Sequence, residues 1–240
     1  MSLWCPSSPG HSVAGLGLVL HNCLPHTSPL RNEVNNLLQE CLSKILASGS
    51  KCPPIGVVNT LSQFLSDISQ THWDNDVSPT LARLTKKSPE TSAQLVCAVT
   101  GAVGGVDMSA LITDSLVTCL PRMLKSSTQP TRLAGQAIAR HAAEKCASTG
   151  PCVALLMCLL DTLQGKVAGT SLVHNYQKES VLIAIELVVG SWKDRTSALE
   201  EGALLEAVNG AVSVLIACMD KEVDHGVRYG GDGCVDVGAM

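Results

Sequence analysis

From Pro29 to Glu222 the apolar residues fall into about seven stripes of helix length, each opened by Ser, Pro or Asp and closed by Gly or a polar run. The clearest is Leu30, Val34, Leu37, Leu38, Cys41, Leu42, Ile45 and Leu46, whose steps of three and four keep every apolar group on one face of a helix. Ser28 supplies a hydroxyl for an orphan backbone N–H, Pro29 a ring where no donor is needed, and Gly49 a stop. The same grammar recurs at Met108, Leu111, Ile112, Ser115, Leu116, Cys119, Leu120, Met123 and Leu124, opened by Asp107 and closed by the polar run 125–129. Pro121 stands inside that stripe and predicts a kink, at a cost of about 3 kcal/mol if nothing relieves it.

The remaining stripes are less regular. Val57, Leu61, Leu65 and Ile68 predict a helix after Pro53-Pro54, and Ser78-Pro79 opens a short one through Leu84. Ser88-Pro89-Glu90 opens another, running to Gly101 with an acidic first turn. Residues 128–146 are alanine-rich, with Ala134, Ala137, Ile138, His141 and Ala142 on one face, and Pro151 opens the run 152–163. Val181, Leu182, Ile185, Val188, Val189 and Trp192 form the next stripe; Leu205, Val208, Val212, Leu215, Ile216 and Met219 form the last. No window alternates with period two for long, so strands are not expected.

Alternate helix starts, near Pro53, Pro89, Pro130 and Lys178, lie roughly 36 to 48 residues apart, which brackets HEAT and armadillo units. A hairpin with one apolar face must stack on neighbours to bury it. The expected fold class is therefore all-α, a right-handed α-solenoid of about three to four HEAT/armadillo-like hairpins over residues 28–222. A single bundle of about seven helices is the alternative. Residues 1–27, rich in Pro, Gly, Ser and His, and the Gly-rich tail 223–240 are expected to be disordered.

Composition narrows the function classes. The 240 residues are 45% hydrophobic and 2% aromatic, which suits a Leu/Val/Ala helical stack. A net charge of −4 argues against a nucleic-acid surface by overall attraction, the scarcity of aromatics weakens any stacking platform for single strands, and no direct sequence-specific nucleic-acid contact is expected. The longest apolar runs, 152–160 and 181–189, are about half of what a bilayer span needs, so no membrane role is expected. The apolar run 13–20 has no Lys or Arg before it, so a secretory signal is not expected either. The 11 cysteines are odd in number and several lie on core stripes, which reads as a reduced, cytoplasmic protein.

The candidate chemistry is thin. Cys146, Cys152 and Cys158 lack the close ligand pair of a structural zinc site and read as core or loop thiols. Gly101, Gly104 and Gly105 follow a helix instead of preceding one, so they read as a helix end and turn, not a phosphate cradle. His141 lies on an apolar face and reads as a satisfied core imidazole, while His72 and His174 sit in loops without a nucleophile motif. No catalytic residue, metal or cofactor is expected. Arg122, Lys125, Arg132 and Arg140 cluster on two successive helices and form a candidate partner-facing basic ridge; the plainer reading is a solvated face.

The segments Ser88-Pro89-Glu90-Thr91 through Cys97-Ala98-Val99, Ala110-Leu111-Ile112, Leu120-Pro121-Arg122-Met123-Leu124-Lys125-Ser126 and Leu133-Ala134-Gly135-Gln136-Ala137 carry a resemblance. The chain resembles the N-terminal HEAT region of the general-control translational activator, the very large scaffold that activates the kinase of eukaryotic initiation factor 2 alpha. The likeness spans about Pro29 to Glu222. It implies a cytoplasmic, non-catalytic scaffold acting through protein and ribosome contacts in amino-acid starvation and at stalled ribosomes, with the kinase as a further partner of the full-length family member. It also implies a piece of a longer array, short of that family's central and kinase-holding regions, and it assigns no site residue. A generic HEAT adaptor in another pathway is the second reading, and an enzyme with a site assembled from scattered Ser, His and Asp residues the third.

Overall fold

The stripes between residues 89 and 189 become helices that turn most of their apolar residues into the core, whereas the last stripe leaves Leu205, Val212 and Ile216 exposed. The computed structural model describes residues 23–25, 29–48, 62–66, 68–167, 169, 171–192 and 201–230. Among them there is no strand. Helix α1 spans Leu30–Ser48. Helix α2 has three parts, Gln70–His72, a wide π turn Trp73–Val77, and Ser78–Lys87. Helix α3 is Pro89–Ala102. Helix α4 repeats the three-part form as Ser109–Leu111, a π turn Ile112–Leu116 and Val117–Leu124. Then come α5 (Gln129–Glu144), α6 (Thr149–Leu163), α7 (Asn175–Gly190) and α8 (Glu201–Gly230). Expectations for residues 1–22, 26–28, 49–61 and 231–240 lie outside the described residues.

Two differences from the sequence reading have local causes. The helix expected to open at Ser78 starts at Gln70, because the Ser69 hydroxyl accepts the His72 N–H at 3.2 Å and the π turn lets the helix run on through Pro79. Leu65 closes a short 3-10 turn, Gln63–Leu65, and Ile68 follows in irregular backbone, so these two apolar residues reach the core from a connector.

The helices pair and stack in a regular order. Helix α2 packs on α3, α4 on α5, and α6 on α7. Across pairs, α3 packs on α5 and α5 on α7, while α2 packs on α4, α4 on α6, and α6 on α8. Gln70, Trp73 and Ser78 of α2 correspond to Ser109, Ile112 and Val117 of α4, each 39 residues later, and α6 starts 40 residues after α4. One continuous core runs through the stack, with Trp73, Leu81, Met108, Leu111, Ile112, Leu116, Leu120 and Leu155 fully buried. Each such aliphatic side chain contributes about 1.5–3 kcal/mol relative to exposure. Small residues let the layers close: a Cβ on Gly135 would stand 3.2 Å from the Met123 and Leu124 side chains.

Polar ties hold one pair to the next at the helix starts. The Gln70 amide donates to the Asp107 carbonyl at 3.3 Å and accepts the Asp107 N–H at 2.7 Å. The Asp107 carboxylate accepts the Ser109 N–H at 2.9 Å, the Ser109 hydroxyl at 2.6 Å and the Ala147 N–H at 2.9 Å. Met108 N–H also donates to the Lys145 carbonyl at 2.9 Å. The starts of α2 and α4 and the approach to α6 are thus fastened side by side, so these three helices run in the same direction. The glycine cluster serves the turn between α3 and α4: Gly105 has φ of 63°, and a Cβ on Gly104 would stand 2.6 Å from the Ser66 carbonyl oxygen.

Pro121 is relieved by its surroundings. Having no N–H, it leaves the Val117 carbonyl without its helical donor. The Cys158 thiol of α6 supplies one, at 2.8 Å. Burial pushes the Cys158 thiol up to about 11, with a Thr162 hydrogen bond opposing, so the proton it donates stays in place at neutral pH. Cys158→Val keeps the volume and removes the donor, and is expected to cost about 1–3 kcal/mol in urea unfolding, whereas Cys158→Ser keeps most of it. Equal stability of the Val variant and the parent would show that the thiol does not relieve the proline.

Candidate interaction surface

A helix favours anionic side chains near its start and cationic ones near its end, and α2 and α4 both follow that rule. At the starts of α2 and α4 stand Asp74, Asp76 and Asp107, with Gln70 donating to the Asp74 carboxylate at 2.9 Å. At the ends stand Arg83, Lys86 and Lys87 of α2 and Arg122 of α4, all exposed, with half-buried Lys125 just beyond. A cleft of about 550 Å³ lies between the two helices, lined by Pro79, Ala82, Arg83, Lys86, Lys87 and Asp114.

The beginning of α5 and the loop into α7 complete this edge. Arg132 donates through Nη1 to the Ser126 and Ser127 carbonyls at 2.9 and 3.1 Å, closing the turn after α4. Its guanidinium lies 4.4 Å from the centroid of the Tyr176 ring, which stacks with His174 at 5.1 Å and 15° between planes. The loop is fastened twice to the end of α4. Lys125 Nζ donates to the Gly169 carbonyl, and Gln177 Nε2 donates to the Lys125 carbonyl at 2.6 Å. The Gln177 oxygen also accepts the Val173 and His174 N–H groups, at 2.9 and 3.1 Å, which sets the entry to α7. Glu90 at the start of α3 accepts from the Ser126 hydroxyl at 3.1 Å and is an acidic member of the same edge.

Of the four residues in the sequence-derived ridge, Arg122, Lys125 and Arg132 share this edge. Arg140 stands about two turns further along α5. Its Nε is 2.6 Å from Glu144 Oε1, and both side chains rim a second, largely apolar cleft of about 800 Å³ lined by Leu182, Ile185, Val208 and Val212 of α7 and α8. Sequence reasoning missed Arg83 and Lys86. The signal was there: Leu81-Ala82-Arg83-Leu84-Thr85-Lys86 and Leu120-Pro121-Arg122-Met123-Leu124-Lys125 match at four of six positions in kind and stand 39 residues apart.

The titratable groups at the other edge are occupied with structure. His141 Nδ1 lies 3.3 Å from the Thr100 hydroxyl, which is itself fully buried and donates to the Cys97 carbonyl. Burial lowers the His141 pKa, Lys145 and Arg140 add to that, and Glu144 opposes, so the ring is neutral at neutral pH. Lys145 donates to the Thr100 and Gly101 carbonyls at the end of α3. Hydrogen bonding from Cys152, then from Ser109 and Ser148, pulls the Cys146 thiol down to about 6 against burial and the Asp107 charge. Cys146 and Cys152 are both fully buried. Among the described residues no group of three or more His, Cys, Asp or Glu could hold a metal ion, and no helix is long and apolar enough to cross a membrane.

With this geometry in view, comparison with known protein families decides the affiliation. The family described as stalled ribosome sensor GCN1, N-terminal, matches residues 34–169, more than half of the chain. The chain belongs to that family. The matched region takes in most of α1, all of α2 to α6 and the Gly169 carbonyl that receives Lys125, whereas α7 and α8 lie beyond it. No curated protein and no solved structure matches the chain. Membership associates this helical region with sensing of stalled ribosomes.

Acidification should weaken the fold through His141. Its folded pKa lies below 6.5, so its contribution is complete above 6.5 and is lost as pH falls through the folded value. Cys146 pulls in the same direction, so the His141 share is read from a variant. Thermal melts of His141→Gln, which keeps a partner for Thr100, should lose less stability than the parent below pH 6.5. Parallel pH profiles for the two proteins would remove His141 from the account.

Proposed function

We propose that the chain is a non-catalytic scaffold of translational control: an α-solenoid of HEAT-like hairpins that joins ribosomes to regulatory proteins when elongation stalls. The family match over residues 34–169 carries this reading. The stacking order supports the repeat architecture, since each hairpin touches the next through both of its layers at a spacing of 39 to 40 residues between α2, α4 and α6. A cytoplasmic location fits the family's work on ribosomes. The kinase of initiation factor 2 alpha is the partner implied by the resemblance for the full-length family member.

The clefts favour binding over catalysis. One is lined mostly by cations with Asp114, the other mostly by aliphatic side chains with Arg140, Glu144 and Glu186 at hand, and its one hydroxyl, Ser191, donates to the Val188 carbonyl and not to a carboxylate. His141 meets a hydroxyl that no substrate reaches, because Thr100 is fully buried.

The test is sedimentation of the full chain with ribosomes in a translation extract, with and without an elongation inhibitor. Co-migration with ribosomes, increased by stalling, is expected. A chain that stays at the top of the gradient, while pull-downs return transport or cytoskeletal proteins and no ribosomal ones, would favour a generic HEAT adaptor instead.

A further inference from the structure

We propose that the edge formed by the ends of α2 and α4 binds a single-stranded segment of RNA, with Arg83, Lys86, Arg122 and Lys125 on its phosphates and a base against the Tyr176–His174 stack. This deepens the ribosome reading above by giving one contact its chemistry.

Charge placement is the first support. The chain carries a net charge of −4, yet this edge gathers Arg83, Lys86, Lys87, Arg122, Lys125 and Arg132, while Asp74, Asp76 and Asp107 stand at the opposite ends of the same helices. A polyanion approaching the protein is drawn to this edge, so the net charge understates the attraction. Glu90 and Asp114 lie among the cations, and Asp161 and Glu179 lie beside them at the end of α6 and the start of α7; Asp161 is 3.8 Å from Lys166 Nζ, and the cations outnumber these four acids. Helix-dipole compensation accounts for a basic residue in a last turn, but it does not account for the same Arg and Lys positions recurring 39 residues apart beside an open cleft.

The aromatic group is the second, independent support. In a chain with 2% aromatic residues, one of two tyrosines is 36% exposed at this edge, with a guanidinium 4.4 Å from its ring centroid and a histidine stacked on it. Arg132 has its Nη1 committed to two carbonyls and Gln177 fixes the loop, so the stack is held in place before any ligand arrives. Exposed, ordered aromatic and guanidinium planes are what unpaired bases stack on, at about 1–3 kcal/mol per base. A duplex would hide those bases, and an acidic peptide would not use the rings; unpaired RNA uses both parts.

Fluorescence anisotropy of labelled oligouridine with the full chain tests this. Binding should weaken with salt at a slope of roughly 0.7 per phosphate neutralised. The triple variant R83E/K86E/R122E should lose about tenfold or more in affinity and about two units of slope, with helix content and melting temperature kept. Tyr176→Ala should lose about tenfold for oligouridine and little for inorganic polyphosphate, which has no bases. No binding at low salt, or binding untouched by the triple variant, overturns the proposal, as does equal affinity for a polyglutamate peptide. If the triple variant still sediments with ribosomes as the parent does, the RNA edge falls and the scaffold reading stands; if RNA binds but ribosomes do not, the reverse holds.

Discussion

The carboxylate of Asp107 is the fastening on which the order of the helices depends. It takes three donors, two from the start of α4 and one from the approach to α6, while its own backbone N–H and carbonyl are both engaged by the Gln70 amide at the start of α2. One residue therefore sets the relative position of three successive helices. An apolar face by itself would tolerate sliding, because burial is proportional to area and indifferent to direction. Hydrogen bonds with an ionised acceptor are directional and each contribute about 1.5–3 kcal/mol, which is enough to select one alignment of otherwise similar stripes.

That alignment explains the irregular features inside the helices. Two π turns, Trp73–Val77 and Ile112–Leu116, occur at corresponding places in α2 and α4, each upstream of a proline. Widening the helix at Trp73–Val77 lets Pro79 stand in a continuous helix, and at Pro121, beyond the second π turn, the neighbouring layer repairs the open Val117 carbonyl through the Cys158 thiol. The cysteines are read most simply as parts of this packing. Cys158 donates a proton to a carbonyl, and Cys146 lies fully buried beside Ser109 in the fastening around Asp107.

The helical stripes were legible because an amphipathic face needs only the 3.6-residue period, which the residues state openly. Helix starts were less legible: Ser78-Pro79 looks like an opening, yet Ser69 caps the chain nine residues earlier and a π turn carries the helix through the proline. The Asp107 fastening was half visible. Its role in opening α4 follows from local sequence, but its bonds to Gln70 and Ala147 join residues 37 and 40 positions away, which no local pattern encodes. Nearness along the sequence groups Arg140 with Arg122 and leaves out Arg83 and Lys86. Equivalence across repeats, and not nearness along the chain, decides which charges share an edge.

A protein built in this way presents long edges of consistent chemistry from short, similar units, which suits a member of a stalled-ribosome sensor family better than a single enclosed pocket would. The central claim is that Asp107 holds the units in alignment. Amide hydrogen exchange on the Asp107→Ala variant, followed separately for α2, α4 and α6, measures this directly. The account predicts a stability loss of about 3 kcal/mol or more, with protection in α2 lost independently of α6, and smaller effects in Asp107→Asn, which keeps an acceptor oxygen. Unchanged protection in all three helices of the Ala variant would contradict it.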